Sequence, residues 1–167
     1  SHHMAYLYSY VGQPWKTQEW TRRLLDEMYQ PTPEGIIGNE DCGQMSAWYI
    51  LSSLGFYSVC PGSNQFILTT PLFDKANMKL GNGKTLVITA NQPDKNKYIT
   101  KVTLNGEEIS HCYITYDQLM QGGTLDFTLS ATPDKRWGTA PEYAPYSYTE
   151  QPTVSIPYIA NDLDLFE

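Results

Sequence analysis

Apolar residues recur at helical spacing early in the chain and at alternate positions through its middle, and the pattern dissolves after Gly138. Trp20, Leu24 and Met28 share one face of a helix that Thr17 can cap and that runs to about Gln30. Arg22, Arg23, Asp26 and Glu27 mostly face away, and Pro31 and Pro33 stop the helix. A second helix starts after Asp41, with Met45, Trp48, Tyr49 and Leu51 as its apolar face and Gly55 placed to end it. Near Phe56 the period shortens to two. Gln65 to Thr69 forms a short apolar run. Ala76, Met78 and Leu80 alternate into the turn Gly81-Asn82-Gly83, and Lys84 to Ala90 resumes, which is a hairpin pattern. Tyr98, Thr100, Val102 and Leu104 alternate up to Asn105-Gly106, and Leu125, Phe127 and Leu129 alternate after Gly122-Gly123. Thr115 to Gln121 has room for one helical turn. The predicted class is α+β, with two helices followed by an antiparallel β-sheet or small β-sandwich.

Two helices cannot close a core by themselves. Their aromatic faces call for partners beyond the sheet, so the helical part reads as a piece of a larger helical assembly. The tail from Gly138 to Glu167 carries Pro141, Pro145, Pro152 and Pro157 among scattered tyrosines and ends in the acidic stretch from Asp162. It reads as an extended segment lying over a surface.

Composition narrows the chemistry. The 167 residues carry a net charge of −7, which argues against a nucleic-acid partner, and no Lys/Arg cluster offsets it. No apolar run approaches the roughly 20 residues of a membrane-spanning helix. Thirteen tyrosines and four tryptophans suit sugar binding and core packing alike. Cys42, Cys60 and Cys112 are an odd set without C-x-x-C spacing, so no disulfide framework is expected. Cys42 lies where a helix N-terminus would favour a thiolate, although a packed thiol is the favoured reading.

The densest chemistry lies in residues 35–49, where Glu40 and Asp41 sit between glycines at the start of the second helix. Backbone N–H groups at a helix N-terminus stabilise an ionised carboxylate, and flanking glycines let a ligand approach closely. The favoured local reading is Asp41 as N-cap, with Gln44 completing a capping box, and the two are compatible, since a cap can fix a carboxylate's orientation.

Several motifs in fixed order resemble one family. They are Tyr6-Leu7-Tyr8, Gly12-Gln13-Pro14-Trp15-Lys16-Thr17-Gln18, the run from Gly38 to Tyr49, Leu54-Gly55-Phe56-Tyr57 and Pro61-Gly62. Pro71-Leu72-Phe73, Tyr98-Ile99, Leu104-Asn105-Gly106, Gly122-Gly123-Thr124-Leu125 and Trp137-Gly138 continue the series. Together they resemble the C-terminal part of glycoside hydrolase family 92, the calcium-dependent exo-α-mannosidases, over about residues 1–138. Ser1-His2-His3 resembles the end of an Asn-Glu-Pro-Ser-His-His string of that family, so native sequence is favoured over a cloning scar.

The resemblance implies that residues 1–56 are the last helices of a catalytic (α/α)6 barrel. Residues 57–138 would be a β-rich C-terminal region and 139–167 the tail. It implies an inverting mechanism on mannose-containing glycans, α-1,2 links among them, with a general acid and a general base roughly 6.5–9.5 Å apart. Asp41 takes the base position, with Glu40 and Asn39 as secondary candidates; the Asn39 amide cannot itself accept the proton. Gln13, Trp15, Lys16 and Gln18 are the pocket candidates. The acid and most calcium ligands are implied to lie in a remainder of the catalytic domain, so this segment alone is expected to be inactive. His2 and His3 fall near the implied calcium, with packing favoured over direct coordination. A periplasmic, extracellular or cell-surface location in bacteria is implied by resemblance only. Two other readings compete: a stand-alone carbohydrate-binding or interaction module, and a scaffold fragment that self-associates through Trp20 and Trp48.

Overall fold

The computed structural model describes residues 2–147. Pro152, Pro157 and the acidic end, which the tail expectation included, lie outside the described residues.

A 3-10 turn at Met4–Tyr6 leads into the short helix α1 (Leu7–Tyr10), and two longer helices follow, α2 (Pro14–Met28) and α3 (Gln44–Ser53). The first long helix begins three residues before the expected Thr17 cap. Pro14 occupies its first turn, where a missing N–H costs nothing and the fixed φ is already helical. Thr17 is buried instead; its hydroxyl accepts from Ser9 Oγ at 2.9 Å and donates to the Tyr6 carbonyl. At the end of α3, Gly55 takes φ +96°, and a Cβ there would also meet Pro71 Cγ at 2.9 Å. Glycine is therefore required on two counts.

The face that α2 buries differs from the one its apolar spacing indicates. Thr17, Gln18, Thr21, Arg22 and Leu25 are buried, whereas Trp20 is 39% exposed and Leu24 and Met28 are half-buried. Two of the polar side chains, Gln18 and Arg22, are paired against the β layer. Arg22 donates to the Pro93 and Pro71 carbonyls, each at 2.8 Å. Gln18 Oε1 accepts the Ile99 N–H at 2.9 Å.

Eight strands follow, β1 (Phe56–Tyr57), β2 (Gln65–Leu68), β3 (Lys75–Lys79), β4 (Thr85–Ala90), β5 (Tyr98–Leu104), β6 (Glu107–Glu108), β7 (Tyr113–Thr115) and β8 (Gly123–Ser130). They form a three-stranded sheet, β1-β2-β7, and a five-stranded sheet, β3-β4-β8-β5-β6. The α+β class holds. All pairings are antiparallel except β4 with β8, which is parallel and joined by the crossover that contains β5 to β7. The turn after β7 is a short helix, α4 (Tyr116–Met120), with the full Thr115/Gln118 capping box.

Alternation holds in β4 and β8, where Leu86, Ile88 and Ala90 face Leu125, Phe127 and Leu129 in the core. In β5 it breaks. A bulge between Ile99 and Lys101 shifts the phase, so Ile99 rather than Thr100 is buried alongside Val102 and Leu104. Gln18 from α2 takes the N–H beside this bulge. We expect Gln18→Ala to cost about 1–3 kcal/mol, because a buried N–H loses its partner. Urea melts and faster hydrogen exchange at the Ile99 amide would check it. Between the layers, Leu51 packs against both the sheet core and the helix-side cluster of Tyr6, Leu25, Trp48, Tyr57, Val59 and Ile67.

All three cysteines are free. Cys112 is buried, and burial pushes its thiol up to about 12. Cys42 is exposed in the left-handed region at φ +52°, so the packed reading does not hold for it. The described start of the tail lies across β2 and β7: Cys112 N–H donates to Tyr143 O at 3.1 Å, and Tyr146 N–H to Gln65 Oε1 at 2.8 Å.

Candidate active site

The loop before α3 turns back on itself through left-handed residues at Gly38, Cys42 and Gly43 (φ +88°, +52° and +78°). That reversal carries the Glu40 side chain over the helix N-terminus. Its carboxylate accepts the N–H of Met45 at 2.9 Å, the N–H of Ser46 at 3.1 Å and the Ser46 hydroxyl. The Ser46 hydroxyl, followed by these backbone donors, holds Glu40 below the usual carboxylate range.

Asp41 is not the cap. Gly43 occupies the N-cap position, and only the Asp41 backbone carbonyl is used, accepting from Gln44 N–H at 2.9 Å. The expected Asp41/Gln44 capping box is absent because the helix begins after Gly43 and the Gln44 N–H goes to the Asp41 main-chain carbonyl. Asp41 is exposed, and among the described residues its carboxylate receives no hydrogen bond. Asn39 is exposed beside it.

Next to this loop is a cleft of 310 Å³ lined by His2, Leu24, Met28, Tyr29, Ile37, Met45 and Trp48. Ile37 precedes the turn that carries Glu40 and Asp41, and Met45 lies in the first turn of α3 that follows it. The cleft is built on aromatic packing. Trp48 is fully buried, stacks on Tyr29 with ring centroids 5.7 Å apart and meets Tyr6 edge-on at 6.4 Å. His2 lies 5.2 Å from the Trp48 ring, and its carbonyl accepts the indole N–H at 3.1 Å. Burial raises the Tyr29 phenol to about 12, so it stays a donor, and it donates to Met45 O at 3.3 Å. His2 Nε2, 3.2 Å from the Tyr29 phenol oxygen, is then the donor to it. Desolvation lowers the His2 pKa, favouring the neutral ring. His3 packs on Tyr57 at 5.8 Å.

The other pocket candidates lie elsewhere. Gln13 precedes the first turn of α2, Lys16 Nζ sits 5.4 Å from the Tyr8 ring, and Lys135 Nζ sits 5.9 Å from the Trp15 ring. At 1.5 Å per residue, the length of α2 separates them from Tyr29 by about 20 Å along the axis. Gln18 is a correction: it is 1% exposed and committed to the Ile99 N–H, so it lines no open pocket. Ser46 and Tyr29 were not foreseen. The spacing from Glu40 to Ser46 matches no capping box, and only the loop reversal brings them together.

Acid should loosen this corner. A lowered Glu40 pKa contributes stability that is present above its ordinary value of 4.5 and lost as pH falls through the folded value. A lowered His2 pKa works in the same direction below 6.5. We expect Glu40→Ala to lower the melting temperature at pH 7 and to differ less from the parent at pH 4. Scanning calorimetry at both pH values tests this, and an equal difference at both would refute it.

Comparison with known proteins places the chain in a family. The glycosyl hydrolase family 92 catalytic domain matches residues 1–131. An uncharacterised secreted glycosidase of Arthroderma benhamiae is 30% identical over 147 residues, covering 86% of this chain and 19% of that protein. A family GH92 α-mannosidase of Bacteroides thetaiotaomicron superposes with a TM-score of 0.85 at 38% identity, over 93% of this chain and 21% of that one. An inverting family GH92 mannosidase of the same organism gives 0.82 at 44% identity, over 89% and 20%. The chain thus spans about a fifth of the length of these relatives. It belongs to glycosyl hydrolase family 92.

Proposed function

We propose that this chain is the C-terminal part of an exo-α-mannosidase and that Asp41 is the general base of its inverting reaction. The observation that supports this most directly is the division of labour between the adjacent carboxylates. Glu40 is occupied by three donors of α3, while Asp41 is exposed on a loop whose backbone those bonds fix. A base must be ionised and within reach of the attacking water. In inversion, a general acid protonates the leaving oxygen while the base removes a proton from water on the opposite ring face. The acid belongs, in this proposal, to the remainder of the catalytic domain, so the segment by itself is inactive.

Calcium enters the proposal only as an ion held outside this segment. Among the described residues no three of His, Cys, Asp and Glu converge, and Glu40 is already occupied. A hard cation needs several oxygen ligands, which the described residues do not bring together, so no step is derived through it. α-1,2-Mannosides of glycans, outside the cell or in a periplasm, are the proposed substrates. Among the described residues no helix is long and apolar enough to cross a membrane.

The test is the anomer released first. Proton NMR of a digest by the longer polypeptide that carries this segment should show β-mannose before mutarotation. Initial α-mannose would refute inversion. Measurable hydrolysis of an aryl α-mannoside by residues 1–167 alone would refute the missing acid.

A further inference from the structure

We infer that Arg22 is the cationic centre of a buried site for a small monovalent anion of chloride size, between the helical and β layers. The site is separate from the cleft beside Glu40 and Asp41, and it does not depend on the mannosidase reading. Among the described residues, Arg22 Nε and the hydroxyls of Thr21, Ser53, Thr69 and Thr70 have no hydrogen-bond partner. None of these residues is more than 4% exposed. A buried polar group left without a partner is costly, and native interiors pair nearly all of theirs.

The main chain gathers these groups at one junction. Arg22 Nη2 donates at 2.8 Å to the carbonyl of Pro71, the residue that follows Thr69 and Thr70. Leu72 N–H donates to the Ser53 carbonyl and Thr69 N–H to the Gly55 carbonyl, each at 2.9 Å. The end of α3 therefore runs beside residues 69–72. Arg22 reaches this junction from α2, with Thr21 as its neighbour in the helix.

Charge selects the ligand. A guanidinium cannot shed its proton, and both partners of Arg22, the Pro71 and Pro93 carbonyls, are neutral. Burial lowers the Arg22 pKa, and Asp26 and Asp94 offset this only in part. Among the described residues no carboxylate forms an ion pair with Arg22; Asp26 pairs instead with Lys97 at 3.6 Å, and Asp94 is exposed. A buried charge without a counter-charge in contact is unfavourable. Every free group at the junction can donate a hydrogen bond: Nε–H does nothing else, and the hydroxyls rotate to do so. A halide takes such donors and supplies the missing charge. A water molecule would take the donors but supply no charge.

The test uses the intact polypeptide that carries this segment, melted in chloride or bromide against gluconate at one ionic strength, and crystals of it soaked in bromide. A ligand that binds only the folded state raises its melting temperature. The expected result is a rise of about 2 °C or more that levels off with halide, and an anomalous bromide peak against Arg22 Nε. Thr69→Val and Thr70→Val should each lower the melting temperature in halide and flatten that rise. Valine keeps the shape of threonine, so both variants should fold. Were the hydroxyls without a ligand, valine would instead raise the melting temperature, and that result would overturn the inference. A bromide peak with no halide dependence in solution would mean an adventitious ion only, and ordered water alone at these atoms would mean a neutral water site; either outcome overturns it. Arg22→Met should abolish both the peak and the halide response, and a peak that survived would remove Arg22 as the centre. If Arg22→Met fails to fold, the two valine variants decide.

Discussion

Asp41→Asn, placed in the longer polypeptide, should lower kcat about 10²- to 10⁴-fold on an aryl α-mannoside with KM far less affected. Asparagine keeps the shape of the side chain but cannot take a proton from water. Glu40 cannot substitute, because both its oxygens are occupied by Met45 and Ser46. The fold should be indifferent, since Asp41 is exposed and among the described residues its carboxylate holds nothing in place.

The leaving group separates a lost base from a lost acid. A dinitrophenyl mannoside departs without protonation, so it bypasses a missing acid but still requires activated water. The Asp41→Asn defect should therefore persist on that substrate. Azide should relieve it: the anion attacks the anomeric carbon without surrendering a proton, and β-mannosyl azide accumulates as the aryl oxide leaves. Turnover within threefold of the parent, or recovery on the dinitrophenyl substrate alone, would remove Asp41 from the base role. Glu40→Gln controls for the alternative. If it were as inactive as Asp41→Asn without loss of melting temperature, Glu40 would be the reacting group.

How far the pattern was readable depended on the range of the forces involved. The strands β3, β4 and β8 follow a local period, so alternation located them. The Thr115/Gln118 capping box is equally local. The strands at Phe56, Glu107 and Tyr113 are too short to display a period. The bulge at Ile99 is recorded in the side chain of Gln18, 81 residues away. The buried face of α2 depends on contacts of the same long range. Its apolar stripe, which calls for partners beyond the sheet, is left open, whereas Arg22, expected to face away, is buried and reaches the Pro71 and Pro93 carbonyls. At the site, the loop from Ile37 to Gly43 was legible as chemistry but not as geometry. Which of two adjacent carboxylates binds the helix depends on left-handed backbone at Cys42 and Gly43, and the Glu-Asp dipeptide does not reveal it.

Trp48→Ala should be the most damaging single truncation on the helix side, costing about 3–5 kcal/mol. Trp48 is fully buried and touches the Tyr6, Tyr29, Tyr57 and His2 rings, so a large cavity would open at the centre of the cluster. Its indole N–H also donates to the His2 carbonyl, which ties the start of the chain to α3. Trp48→Phe separates the two contributions. It keeps an aromatic body in the cluster and deletes the donor, so it should cost clearly less than alanine while still freeing the His2 backbone. Urea melts with an unchanged m-value would give both numbers, and the nuclear magnetic resonance line width of His2 would report its release. A cost for Trp48→Ala below about 1 kcal/mol, the range of surface substitutions, would mean that the aromatic cluster does not hold α3 in place. The Glu40 and Asp41 loop would then need another anchor, because the same helix N-terminus is what fixes it.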